Sequence, residues 1–294
     1  MRTPTGSQEK GFITILTGLY SFQDCVHFLA SVRKFHKEPI IILIDQVPWF
    51  LRLILQSFKD VYLVPASSDK NPVLASRFAK ISLYRASPFE KTIYLDCDTC
   101  LLDNINEVFE ALDNFDLLLT EDIRPRIADA VNLLRVEQDF DTKHDVLTSL
   151  QKVGLPVTEE TVQYNGGFIA FRKAAINKEV FDKFENYFKI ILENQDLFLL
   201  RDQGPLAASI AALQPRVQVM SPRYNFLSKW KNVYSNFNDS VKVLHCTYPM
   251  RPQYAKDVTK SLFTRIFDRL AKYLLPNQVK NPWRKAKANL SKNS

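Results

Sequence analysis

Four short runs rich in β-branched and aliphatic residues, each closed by a turn-former or an acid, alternate with segments of helical periodicity over the first hundred residues. They are "GFITILT" (Gly11–Thr17), "PIIILID" (Pro39–Asp45), "VYLVPA" (Val61–Ala66) and "TIYLD" (Thr92–Asp96). Continuous apolar runs of this length read as strands buried on both faces. Between the first two, Phe22, Val26, Phe28, Leu29 and Val32 recur at helical spacing, and "PWFLRLILQSF" and "SRFAKISLYRA" supply two further helices. A β-α-β-α-β-α-β order predicts a mostly parallel sheet with helices on both faces, hence an α/β fold. Ligands of such sheets gather at the carboxyl ends of the strands. Asp45, Asp96 and Asp98 fall there.

Further along, "NINEVFEAL" predicts a short helix and "FDLLLTED" a strand ending in acids. The stretch from about 123 to 162 is polar, with helical patterns in "RIADAVNLLRVEQDF" and "HDVLTSLQKVG". "GGFIAFRK" returns as a strand. A long helix follows, with Val180, Phe181, Phe184, Tyr187, Phe188, Ile191 and Leu192 on one stripe. Asp202 stands where an N-cap is wanted for the helix "QGPLAASIAAL". "VQVMSP" and "VKVLHC" close the regular pattern as late strands. There is no internal repeat and no linker before about residue 255. The expected organisation is a flexible start (1–10), one domain (11–255) and a basic helix with tail (256–294).

Of the 294 residues, 46% are hydrophobic and 24% charged, as in ordinary globular domains. No window offers an uninterrupted apolar span of membrane length, and "MRTPTGSQEK" lacks the apolar segment of a secretory signal. A cytoplasmic location is expected. Cys25, Cys97, Cys100 and Cys246 are too scattered for a disulfide framework, and Cys97-x-x-Cys100 sits among acids, so both are read as small core residues rather than a redox or zinc motif. The tail from Lys256 onward holds ten Lys/Arg against two Asp, or +8, so a formal net charge of +7 leaves residues 1–255 at −1. Basicity confined to a tail argues against a nucleic-acid partner.

The segment "IYLDCDTCLL" (Ile93–Leu102) carries the strongest chemical signal. On an extended strand Asp96 and Asp98 would point the same way. Two charges roughly 6 Å apart repel by about 3 kcal/mol at an effective dielectric near 20. A divalent cation, a shared proton or exposure to water could each relieve that repulsion.

These residues resemble a known family. "SRFAKISLYRASPFEKTIYLDCDTCLLDNINEVFE" (Ser76–Glu110) is similar to the D-x-D region of the family-eight retaining glycosyltransferases, of the glycogenin and lipopolysaccharide-galactosyltransferase type. The match continues in collinear order through "FITILTGLY", "YNGGFIAF", "RDQGPLAA", "SPRYNFLSKW" and "HCTYPMRP", covering about Gly11 to Pro252. The resemblance implies a single glycosyltransferase A-type domain with a Rossmann-like sheet, in which 123–164 forms an acceptor-side insertion.

It also implies roles. Asp96 and Asp98 would hold manganese or magnesium, with His245 as third protein ligand, and Cys97 between them would belong to the cofactor-binding set. Hard oxygen ligands with one imidazole suit manganese well. Lys80 and Arg251 would face the diphosphate of a uridine-diphosphate sugar, with Arg77 one helical turn before Lys80. Arg251 stands where the family more often has Lys. Thr17 and Tyr20 would meet the base and ribose, Gly18 replacing a polar residue of some members. Asn165, Asp202 and Gln203 would lie beside the transferred sugar. The acceptor would be a glycan, a lipid-linked molecule or a small molecule.

Other readings compete. A haloacid-dehalogenase-like phosphohydrolase also ends a strand with D-x-D, but its motif needs Thr or Val where this chain has Cys100, and no later G-D-x-x-x-D segment follows. A catalytically silent sugar-nucleotide-binding protein would not need the metal ligands retained. Sugar-1-phosphate nucleotidyltransferases need a Gly-rich N-terminal loop that is missing. In "KSLFTRIFDRLAKYLL", Leu262, Phe263, Ile266, Phe267, Leu270 and Leu274 share helical spacing, with Arg265, Arg269 and Lys272 elsewhere. Such a helix can pack on the domain, reach a lipid-linked acceptor, or lie on an anionic membrane surface at the inner face.

Overall fold

The computed structural model describes residues 8–66, 69–130, 146–194, 202–228, 239–246 and 259–274. In chain order, β1 (Gln8–Thr17), α1 (Phe22–Phe35), β2 (Ile40–Asp45), α2 (Trp49–Gln56) and β3 (Val61–Pro65) form the first repeat of strand and helix. α3 (Pro72–Ile81), whose N-cap Asn71 accepts from Val73 N–H, runs into the one-turn α4 (Leu83–Ala86) and then β4 (Phe89–Leu95). β5 (Thr99–Leu101), α5 (Asn106–Ala111), β6 (Leu117–Arg126), α6 (Val146–Lys152), β7 (Val162–Arg172) and α7 (Ala175–Glu193) follow. α8 (Gln203–Leu213), β8 (Val217–Met220), β9 (Phe226–Leu227), β10 (Val243–His245) and α9 (Leu262–Leu274) complete the described chain.

The main sheet has seven strands in the order β3-β2-β1-β4-β7-β6-β8. All neighbouring pairs are parallel except those of β7, which runs antiparallel to both β4 and β6. Alternation along each buried strand divides the core in two. Phe12, Leu16, Ile40, Ile42, Ile44 and Ile93 face Phe22, Val26, Leu29 and Leu55 of α1 and α2. Ile13, Ile15, Ile41, Leu43 and Tyr94 face α3, α7 and α8 through Ala79, Phe184, Phe188 and Leu206. The predicted α/β architecture with a mostly parallel sheet is thus what the chain adopts. Strand order reverses between β1 and β4, which opens a crevice beyond their carboxyl ends.

A second sheet, β5-β10-β9, sits beyond that crevice. β5 and β10 pair antiparallel, with Thr99 opposite His245 and Cys100 opposite Leu244. Cys100 and Cys246 are buried with Leu244 in a small apolar cluster, as small core residues.

Two local expectations change. Residues 123–126 belong to β6 and 162–164 to β7, because the strands run past the predicted insertion bounds at both ends. Between them Ile127, Leu147, Leu150, Leu155 and Val157 pack on Ile191, Ala207 and Ala208 of α7 and α8. Much of the helix expected in "RIADAVNLLRVEQDF" lies outside the described residues. Finally, α9 docks by a face that takes in only part of the predicted apolar stripe. Thr264, Phe267 and Ala271 are buried, whereas Leu262, Ile266 and Leu270 are exposed.

Polar partners select that face. Asp268 Oδ1 accepts from His27 Nε2 at 2.8 Å and from Gln23 Nε2 at 2.7 Å, both on α1. Phe267 packs on Phe22 with ring centroids 5.9 Å apart, and Phe263 meets Phe58 edge-on at 5.3 Å. Among the described residues, no helix is long and apolar enough to cross a membrane.

Candidate active site

β4 ends at Leu95, and the backbone then turns: Thr99 N–H donates to the Asp96 carbonyl at 3.0 Å. Asp96 and Asp98 therefore converge across a tight turn, not along an extended strand as the two-residue spacing suggested. The turn is fastened on the far side by β10, where Cys246 N–H donates to the Asp98 carbonyl at 2.9 Å. His245 precedes that anchor and swings its ring onto the pair. Its Nε2 lies 3.2 Å from Asp98 Oδ1 and 4.0 Å from Asp96 Oδ2. One ligand atom from each of the three residues falls within 4.8 Å of the others.

The donor set is two half-buried carboxylates and one buried imidazole, which fits a divalent ion of hard or intermediate character. Burial pulls the His245 imidazolium down, but Asp98 and Asp96 outweigh it and raise its pKa. Burial likewise lifts Asp98, and His245 more than reverses that, leaving its pKa lowered. The site stabilises positive charge at Nε2, whether a proton or a metal supplies it.

Behind the carboxylates lies a second charged group. Lys80, on α3 and 3% exposed, contacts Asp202 Oδ2 at 3.1 Å, Asp96 Oδ1 at 3.2 Å and the Gly166 carbonyl at 2.9 Å. Those three acceptors match the three hydrogens of an ammonium. Arg77, one turn earlier, holds Asp202 Oδ1 at 2.9 Å through Nη1, while its Nε is buried without a partner among the described residues. Burial would raise the Asp202 carboxyl, but Arg77 and Lys80 hold it well below the usual carboxylate range. Asp202 stands at the N-cap position of α8 yet makes no side-chain cap bond, since both oxygens are committed to these cations. The capping role read from its position is not the one it plays.

The asparagine–glycine strand has a steric reason. A Cβ on Gly167 would lie 2.4 Å from His245 Cε1, and one on Gly166 3.2 Å from both Lys80 Nζ and Asp202 Oδ2. Two adjacent positions without side chains let the metal-side and cation-side groups close on β7. Asn165, just before them, donates from Nδ2 to Asp122 Oδ2 at 3.2 Å, and Gln203 Nε2 donates to the same oxygen at 3.0 Å.

Of the predicted site residues, Asp96, Asp98, His245, Lys80, Arg77, Asp202, Asn165 and Gln203 are brought together. Thr17 ends β1 beside the crevice, and Tyr20, 37% exposed, lies on the turn that follows. Cys97 is half-buried against the core, and burial pushes its thiol up, consistent with a structural side chain. Asp45, at the end of β2, accepts from the neighbouring Gln46 Nε2 at 2.9 Å. Arg251 lies outside the described residues.

Three participants escaped the sequence reading. Tyr94 donates its hydroxyl to Asp96 Oδ1, with Lys80 Nζ 5.2 Å from its ring centroid. Asp122 was visible only as the acid ending "LLLTED". Asn225 stood inside the quoted "SPRYNFLSKW" without an assigned role.

No protein-family model matches the sequence. No curated protein matches it either. Solved structures do. The bifunctional glycosyltransferase WbbM in its apo form aligns over 91% of this chain with a TM-score of 0.61 and 13% identity, and the chain spans about half, 52%, of its length. The galactosyltransferase LgtC, solved in complex with donor and acceptor sugar analogues, aligns over 94% of this chain and 99% of its own, with a TM-score of 0.59 and 16% identity. The glycosyltransferase GlyE of Streptococcus pneumoniae TIGR4 aligns over 90% of this chain and 64% of its own at a TM-score of 0.57 and 12% identity. These neighbours are glycosyltransferases of the type the motifs resemble, and at such identities the likeness is one of architecture: the chain has the glycosyltransferase A fold.

Proposed function

We propose that this chain transfers a glycosyl group from a nucleotide-diphosphate sugar, a uridine-diphosphate sugar by resemblance, to a glycan, lipid-linked or small acceptor. The observation that carries the reading is the placement of Asp96, Asp98 and His245 within one ligand sphere, directly beside the paired cations Arg77 and Lys80. Asp96, Asp98 and His245 would hold manganese or magnesium, which would supply Lewis-acid charge to a departing diphosphate. Lys80 and Arg77 add charge from the other side of Asp96.

Asp122, Asn165 and Gln203 form a hydrogen-bonding wall suited to sugar hydroxyls, with Asp202 behind the cations. Asp202 stays anionic at neutral pH, so it serves as counter-charge and orienting group rather than as a proton donor. The proposed outcome is retention of anomeric configuration. Thr17 and Tyr20, at the end of β1, are proposed for the nucleoside, and Arg251 for the diphosphate.

A peripheral contact with an anionic bilayer is proposed for α9. Its exposed Leu262, Ile266, Leu270 and Tyr273 are flanked by exposed Arg265 and Arg269, an arrangement suited to the interface plane.

Asp96→Asn and Asp98→Asn test the main reading. Each is expected to abolish manganese-dependent donor hydrolysis and transfer while leaving the thermal transition near that of the parent. Undiminished turnover in either variant, or in excess chelator, rules the reading out. Proton spectra of the product give the anomer, and an inverted one removes the retaining assignment.

A further inference from the structure

A file of hydrogen bonds leads from the backbone of β7 to the ring of His245, and each link fixes the next. The amide of Gly167 can only donate. Its partner at 2.9 Å is therefore the side-chain oxygen of Asn165. That orientation turns Asn165 Nδ2 toward the Asp122 carboxylate at 3.2 Å, which can only accept when ionised. Asn165 Oδ1 receives a second hydrogen from Asn225 Nδ2 at 3.0 Å, and the same Nδ2 donates to Thr120 Oγ1 at 2.9 Å. The amide of Asn225 is thereby oriented as well. Its oxygen meets His245 Nδ1 at 2.9 Å. An amide oxygen has no hydrogen to give, so Nδ1 must carry one.

In the neutral ring, Nε2 then keeps its lone pair. Nε2 stands 3.2 Å from Asp98 Oδ1 and 4.0 Å from Asp96 Oδ2, acceptors that draw a second hydrogen there until a cation takes its place. The tautomer with hydrogen on Nε2, which free histidine prefers in water, would set two lone pairs against each other at Nδ1 and block the ligand position. Asn225 is 3% exposed and Asn165 9%, so water is poorly placed to substitute for either. A ligating imidazole is oriented by the partner of its other nitrogen, and that partner here is an amide whose own direction is set two residues away.

We propose that Asn225 is a positioning residue that holds His245 as the Nδ1–H tautomer, with Asn165 and the Gly167 amide dictating the direction of its oxygen. The inference rests on the reading of Asp96, Asp98 and His245 as a metal site, because a cation at Nε2 is what leaves Nδ1 as the one protonated nitrogen of the ring. It also makes Asn165 a link between the wall proposed for the sugar and the metal ligands: Asp122 lies at one end of the file and His245 at the other.

The test uses the full chain, saturated with magnesium, with nitrogen-15 in its histidines. Long-range proton–nitrogen spectra are recorded at neutral pH, the His245 signals identified by their loss in His245→Gln. The expected wild-type pattern is a protonated Nδ1 and an unprotonated Nε2. Asn225→Leu should move the ring to the Nε2–H form or a mixture. A wild-type ring protonated at Nε2, or an unchanged Nδ1–H pattern in Asn225→Leu, overturns the proposal.

Calorimetric titration with manganese supplies the second arm. Asn225→Leu should weaken uptake by about 10–100-fold, whereas Asn225→Asp, which still accepts from Nδ1, should stay within about threefold. Equal losses in both variants reduce Asn225 to packing and overturn the positioning role. If Asn225→Leu does not fold, the wild-type spectrum still decides. The two readings fail separately. No metal uptake by the parent chain removes the metal site itself, whereas uptake by a chain whose His245 shows Nε2–H removes only the positioning role.

Discussion

Gly167 and His245 meet so closely that a single methyl group on the glycine would stand 2.4 Å from Cε1 and 2.6 Å from Nδ1 of the ring. The obstructing atoms belong to a ring already hydrogen-bonded to Asn225 and facing two carboxylates, so the ring cannot yield without losing its orientation. Gly167→Ala is therefore expected to displace His245 and weaken manganese uptake by on the order of 10–100-fold, the usual cost of disturbing a ligand's support. Gly166→Ala, whose added carbon would lie 3.2 Å from Lys80 Nζ and Asp202 Oδ2, should be milder. Calorimetry on both variants checks the order; a Gly166→Ala loss exceeding that of Gly167→Ala contradicts it.

Lys80 is buried against two carboxylates, and burial pulls its pKa down less than Asp202 and Asp96 push it up. Removing one member of such a cluster leaves charge uncompensated. Lys80→Met should cost about 3–5 kcal/mol in urea unfolding. Lys80→Met combined with Asp202→Asn should recover part of that loss, because the stranded anion goes with it. Strict additivity of the two variants would show that the ion pair contributes nothing.

Acid sensitivity has an identifiable source away from the site. Burial raises the Asp116 carboxyl, but hydrogen bonds and charge from Arg216 and Arg172 bring it down to about 2. A depressed folded-state pKa contributes stability that is fully present above the unfolded value near 4. That stability is lost as pH falls through the folded value. Asp116 should supply roughly 2 kcal/mol at neutral pH that vanishes between about pH 4 and pH 2. Asp116→Asn should lower stability at pH 7 and flatten its acid dependence; parallel curves for variant and parent would exclude the effect.

The sheet was legible because β1 to β4 are buried on both faces, so each strand is an unbroken apolar run between breakers. Their helices show the complementary stripe, as Val26, Leu29 and Val32 do. Lys80 and Arg77 could be placed on one face by helical spacing alone. The D-x-D turn was misread in conformation though not in outcome: two-residue spacing fits a strand and a tight turn alike, and the hydrogen bond from Thr99 to Asp96 is a tertiary choice stabilised by β10. Asn225 and Asp122 were hidden for another reason. Their partners lie 20 to 105 residues away in sequence, and no local period records an amide's orientation.

The final helix separates docking from surface chemistry within three turns. Phe267 is 3% exposed against Phe22, so Phe267→Ala should cost about 3–5 kcal/mol of the helix's hold on the domain, read as faster proteolysis and exchange in α9. Ile266 and Leu270, each 48% exposed, contribute little to that hold. Ile266→Asp with Leu270→Asp should leave the thermal transition within a degree or two of the parent, since surface substitutions stay within about 0.5 kcal/mol. The same pair should abolish sedimentation with vesicles of anionic phospholipid, because it places acids between Arg265 and Arg269 on the face proposed for the bilayer. Phe267→Ala should weaken sedimentation only as far as it frees the helix. Equal binding of the parent to neutral and anionic vesicles, or undiminished binding of the double variant, would leave α9 as a packing element alone.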